Sequence, residues 1–155
     1  MERRDRINYY LDTAEQIAKR STCLRRGYGA VIVKDDEIIA TGYNGSPRGA
    51  KNCCDTGTCK RQELGVKAGE RYELCRSVHA EQNAIISASR KDMQGATLYL
   101  VGLEIETGEL TKYNEPCMMC KRFIINAGIK TVIMRSNHDE FKAISTKDWI
   151  VNGVV

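Results

Sequence analysis

Seven cysteines, at positions 23, 53, 54, 59, 75, 117 and 120, set the first limit on what this 155-residue chain can fold into. Their odd number and wide spacing exclude a secreted framework of paired disulfides, which takes a far higher cysteine density. Hydrophobic residues make up 42% of the chain, enough for one packed core at this length, so the thiols are not needed as staples. In such a chain cysteines serve metal binding or catalysis. The start, Met-Glu-Arg-Arg-Asp-Arg, has no apolar stretch of the kind that leads a secreted protein, and no window approaches 18 apolar residues. A cytoplasmic location without membrane contact is therefore expected. Lys plus Arg exceed Asp plus Glu by 24 − 20 = 4. That balance falls short of the clustered charge of a duplex binder, and no stable nucleic-acid partner is expected.

Apolar spacing predicts the elements. Ile7, Tyr10, Leu11, Ala14, Ile17 and Ala18 mark an amphipathic helix within residues 2–20. Residues 29–34 and 37–42, joined by Asp35-Asp36, predict a hairpin. From Tyr43 to Arg76 the periodicity disappears, although four cysteines fall there. A segment this long and aperiodic, bounded as 44–78, is predicted to be a loop insertion ordered by metal. Beyond it, spacing predicts a helix over 79–90 and a strand over 96–101. A second buried helix over 117–127 is closed by Gly128, and a strand follows at 130–134. A short polar helix is predicted over 139–146. This order implies one domain over 1–155, a three-layer α/β/α sandwich on a mixed sheet whose later strands run parallel.

Two of the helix starts carry chemistry. His79-Ala-Glu81 opens one, and Pro116-Cys117-Met-Met-Cys120 opens the next. One imidazole and two thiolates suit zinc, and three ligands leave one tetrahedral position open, as in a catalytic site. A helix N-terminus favours the thiolate form that a metal requires. Glu81 is placed to take a proton from water activated there and pass it to a ring nitrogen and a leaving amine. A lone C-x-x-C reads equally as a redox pair, and a lone H-x-E as an ordinary helix start; together they match the H-x-E…P-C-x-x-C pattern of zinc nucleobase deaminases.

Thr41-Gly-Tyr-Asn-Gly-Ser-Pro47, His79-Ala-Glu-Gln-Asn-Ala-Ile85 and Pro116-Cys-x-x-Cys120 resemble the deoxycytidylate (dCMP) deaminases, in the bacterial and phage-like branch of the cytidine deaminase superfamily. The resemblance runs from about Arg6 to Met134. It implies a cytidine deaminase-like fold and hydrolysis of dCMP to dUMP and ammonia, supplying thymidylate synthesis. It also implies a homohexamer, activation by dCTP, and inhibition by dTTP with Mg2+. Carried onto this chain, it makes His79, Cys117 and Cys120 zinc ligands and Glu81 the proton shuttle. Asn44 would meet the deoxyribose hydroxyl and the Ala80 backbone would face the base. Arg25, Arg26 and Arg48 are candidates for the phosphate, and Arg90 for a subunit contact.

Family members that this chain resembles at Ser21-Thr-Cys23 and Asn52-Cys53 carry a second, structural zinc. Here it would be held by Cys23, Cys53, Cys59 and Cys75, with Cys54 the alternative to Cys53, because sequence does not rank adjacent cysteines. His138 reads as a surface or capping residue, Trp149 and Ile150 as core or interface packing, and Met118 and Met119 as packing residues. The competing functions are a deaminase acting on a nucleoside, a pterin-like base or a tRNA base; a non-catalytic zinc-binding assembly protein; and a thiol oxidoreductase. A tRNA enzyme would want a broader basic surface, a dead site has no use for Glu81, and zinc would occupy the redox thiols.

Overall fold

The computed structural model describes residues 1–155. Helix α1 (Arg6–Ala18) starts at Asp5, whose carboxylate accepts a hydrogen bond from the Asn8 N–H at 3.0 Å. Strands β1 (Arg26–Lys34) and β2 (Glu37–Tyr43) form the hairpin. Asp35 and Asp36, at φ +50° and +62°, make the left-handed two-residue turn that matches the twist of paired strands. Three short helical turns follow: α2 (Cys53–Thr56), α3 (Lys60–Glu63) and a 3-10 turn at Tyr72–Leu74. Then come α4 (Ala80–Ile86), α5 (Arg90–Met93), β3 (Thr97–Glu104), α6 (Met118–Ala127), β4 (Thr131–Arg135), β5 (Phe141–Ser145) and α7 (Thr146–Val151).

The five strands form one sheet in the order β2-β1-β3-β4-β5. β3 and β4 are parallel and every other neighbouring pair is antiparallel, so the sheet is mixed. A parallel pair needs a crossover, and α6 supplies it. Side chains alternate across β1: Val31 and Val33 face α1, packing with Leu11, Ala14, Tyr99 and Val101. Ala30 and Ile32 face the other way, into a cluster with Ala80, Ala84, Leu98, Ile124 and Trp149. Helices thus cover both faces, and α4 and α6 share one of them.

Two glycines set how closely the helices approach. A Cβ on Gly29 would lie 2.0 Å from the Ala14 carbonyl oxygen, and one on Gly42 2.3 Å from that of Ala80. Only glycine leaves room for α1 and α4 at those points.

The structure corrects two predicted elements. The polar helix expected over 139–146 is instead strand β5, paired antiparallel with β4 from Arg135↔Phe141 to Thr131↔Ser145, and the last helix begins at Thr146. Backbone pairing at a sheet edge outweighs the weak local preference of this polar stretch. The helix expected over 79–90 breaks after Ile86. Ser89 restarts it as α5, its hydroxyl accepting from the Asp92 N–H at 3.2 Å. α4 and α6 are also less enclosed than their apolar content suggests: Ile86, Met118 and Phe123 are exposed. Trp149 packs in the core as expected, while Ile150 faces outward.

Candidate functional site

His79 and Cys117 occupy equivalent places, each the residue just before the first turn of a helix, α4 and α6 respectively. The Gln82 side chain fixes the first of these starts by accepting from the His79 N–H at 2.9 Å. Because α4 and α6 pack side by side on one sheet face, their N-terminal ends converge. His79 Nδ1 lies 3.6 Å from Cys117 Sγ and 3.3 Å from Cys120 Sγ. The ligand atoms of these three residues all fall within 4.8 Å of one another, and no other set of three His, Cys, Asp or Glu residues does so.

The donor set fits zinc. One imidazole nitrogen and two sulfurs at this closeness match three corners of a tetrahedron and leave the fourth to water or substrate. Hydrogen bonds from the Cys120 thiol and His79 hold the Cys117 thiol well below the usual range, which readies one thiolate. For His79, burial acts to lower its pKa, but the hydrogen bond to Cys117 and the Glu81 charge outweigh it and raise it. Glu81, one residue into α4, is buried beside the cluster, and burial pushes its carboxyl up. A buried carboxyl with a raised pKa holds a proton more readily than one in water, which suits a group that accepts a proton and returns it.

His79, Glu81 and Cys117 line a cavity with Tyr28, Asn44, Tyr72 and Ala80, and Cys120 is buried behind them. Asn44 is buried at its wall. Its Oδ1 accepts from the Tyr28 N–H at 2.7 Å and its Nδ2 donates to the Arg26 carbonyl at 2.9 Å, so its amide also holds the end of β2 against β1. Arg25, Arg26 and Arg61 line the same cavity. Arg26 is bound to Glu104 at 3.1 Å and stacks over Tyr113 at 4.0 Å. Arg48 is exposed and does not line the cavity. Arg90 donates to the Asn126 carbonyl at 2.8 Å, tying α5 to the end of α6. His138 is exposed in the turn before β5, where its carbonyl accepts from Arg4 at 2.8 Å. Sequence reasoning missed Arg61 and Tyr72, which lie in the aperiodic segment where spacing carries no signal.

The loop cysteines divide. Cys23, Cys59 and Cys75 line the cavity, and Cys53 is buried close to them. Burial and the neighbouring thiols of Cys23, Cys75 and Cys59 push the Cys53 thiol up. Cys54 is exposed and points to Asp55. The sulfurs of Cys23, Cys53, Cys59 and Cys75 are not drawn within 4.8 Å of one another as the ligand atoms of His79, Cys117 and Cys120 are.

Residues 4–136 match the model of the cytidine and deoxycytidylate deaminase zinc-binding region. A deoxycytidylate deaminase of Mycobacterium phage D29 is 38% identical over 138 residues, covering 86% of this chain and 96% of that protein. The Schizosaccharomyces pombe deoxycytidylate deaminase is 35% identical over 133 residues; the match covers 85% of this chain but only 37% of that longer protein. Among solved structures, the dCMP deaminase of cyanophage S-TIM5 in complex with dCMP and dUMP superposes with a TM-score of 0.60 at 29% identity, over 85% of this chain and 82% of that one. Motifs, fold and site agree: the chain belongs to the cytidine and deoxycytidylate deaminase family, built around its zinc-binding region.

Proposed function

We propose that this protein catalyses the hydrolytic deamination of dCMP, consuming one water and giving dUMP and ammonia. The observation that carries the reading is the convergence of His79, Cys117 and Cys120 with a buried Glu81 in a cavity lined by arginines. Zinc held by the three ligands supplies Lewis-acid activation of water at neutral pH. Glu81 takes the proton of the attacking water, delivers it to the base nitrogen beside the reacting carbon, and carries a second proton to the departing amine. The Ala80 backbone borders the base, Asn44 the sugar, and the arginines that line the cavity, Arg25 and Arg26 among them, are the cations available to the phosphate. Feeding thymidylate synthesis follows from the product.

The second zinc belongs to the same proposal. Burial of Cys53 near Cys23, Cys59 and Cys75 supports it, and favours Cys53 over the exposed Cys54. A cation would draw the four sulfurs together and fix a segment that has little apolar core of its own. A homohexamer regulated by dCTP and dTTP with Mg2+ is taken from the family resemblance. Ile86, Phe123 and Met118, exposed on α4 and α6, support the assembly. No helix is long and apolar enough to cross a membrane; a cytoplasmic place is part of the same proposal.

The test is ammonia release from dCMP, deoxycytidine, CMP and a tRNA by zinc-loaded protein. Preference for dCMP is expected. Equal turnover of deoxycytidine would remove the phosphate from the reading, and turnover of the tRNA alone would replace it.

A further inference from the structure

Two arginines are buried in this protein, and they are treated differently. Arg135, 2% exposed, is met by Asp12 at 2.6 Å and Glu15 at 2.8 Å. Arg61, 7% exposed, has no carboxylate within ion-pair distance. Both of its hydrogen bonds leave from Nη2, to the carbonyls of Lys67 at 2.8 Å and Glu70 at 2.6 Å. Its Nε is buried without a protein acceptor, as is that of Arg135, so the missing carboxylate is what separates the two. Burying a guanidinium without a counter-charge is costly, and a fold tolerates it where an anion completes the site.

The position of Arg61 says which anion. Its guanidinium lies over the Tyr72 ring at 4.8 Å, and Tyr72 meets His79 edge-on at 5.4 Å. Arg61 therefore lines the cavity of His79 and Glu81, one aromatic ring removed from the metal ligands. The charge of Arg26 is already shared with Glu104. Arg61, clamped through Nη2 by two carbonyls and stacked on a ring, has no carboxylate partner and keeps Nη1 free of protein acceptors.

We infer that Arg61 is the residue by which this site tells a nucleoside monophosphate from a nucleoside, by pairing with the 5′-phosphate. The inference rests on the deaminase reading above and assigns the specificity within it. Because Nη2 is occupied by carbonyls, the contact is a charge and a hydrogen bond from Nη1 rather than a two-pronged clamp. Lysine can therefore replace part of it.

The experiment compares kcat/KM for dCMP and for deoxycytidine in the wild type, Arg61→Gln and Arg61→Lys, with zinc content measured on each preparation. Arg61→Gln is expected to lower kcat/KM for dCMP by roughly 10- to 100-fold, mainly through KM, since a hydrogen bond to a charged group is lost. Turnover of deoxycytidine stays within about twofold of the wild type, and Arg61→Lys recovers part of the loss on dCMP. An equal loss on both substrates, or loss of zinc from Arg61→Gln, overturns the inference and makes Arg61 a support of its loop. A wild type inactive on dCMP overturns the deaminase reading itself. Should Arg61→Gln not fold, the structure of the Glu81→Gln protein with dCMP decides. A phosphate oxygen within hydrogen-bond distance of Arg61 Nη1 supports the inference, and a phosphate held only by Arg25 or Arg26 overturns it.

Discussion

Gly42 lies so close to Ala80 that a Cβ on it would sit 2.3 Å from the Ala80 carbonyl oxygen. Ala80 is flanked by His79 and Glu81, so this contact between β2 and α4 sets the height of the site above the sheet. Gly42→Ala is expected to push α4 outward, costing about 1–3 kcal/mol of stability as overpacking does. Activity on dCMP should fall further, by about 100-fold, because a displacement on the order of 1 Å misaligns the reacting groups. Denaturant unfolding and kcat/KM measured on one preparation check this. An active variant of normal stability would show that α4 is not positioned there.

Arg135 ties β4 to α1 through Asp12 and Glu15, and this link predicts acid sensitivity. For Asp12, burial acts to raise the pKa, but hydrogen bonds from Arg4 and Arg135 prevail and lower it from the ordinary 3.8. A depressed carboxyl pKa means that the unfolded chain binds more protons than the folded one at low pH. The contribution is complete above about pH 4 and is lost as pH falls through the folded value. Unfolding midpoints should therefore drop below about pH 4. Arg135→Met should lose roughly 1–3 kcal/mol at neutral pH and show a shallower acid slope. An unchanged slope would assign the acid loss to other carboxylates.

Metal content separates the two groups of thiols. Purified protein should hold about two zinc per chain, and Cys53→Ala about one, with activity largely retained. Cys54→Ala should keep both, because Cys54 is exposed and turned toward Asp55. About one zinc per wild-type chain would remove the second site from the account.

The parts of the site legible in the sequence are those whose chemistry fixes residue type and spacing together. His79, Glu81, Cys117 and Cys120 read out because a metal site at two helix starts demands imidazole, carboxylate and thiols at those offsets. The hairpin and α1 read out from apolar periodicity. β5 did not, because Phe141–Ser145 is an exposed edge strand held by backbone pairing to β4, which leaves no apolar alternation to read. The end of α4 at Ile86 was hidden because Ser87-Ala88-Ser89 carries no glycine or proline to mark a stop, and Ala88 beyond it still packs against the core. Arg61 was hidden because carbonyls of Lys67 and Glu70, in a segment without period, are what hold it.

Replacing Glu81 with glutamine tests the central claim most directly, since it removes the proton carrier and keeps the shape. Ammonia release from dCMP should be followed for zinc-loaded wild type and Glu81→Gln, with zinc measured on both. The account predicts steady turnover by the wild type and a loss on the order of 100- to 10,000-fold in the variant, at unchanged zinc content. Wild-type turnover matched by Glu81→Gln, or none from the zinc-loaded wild type, would contradict it.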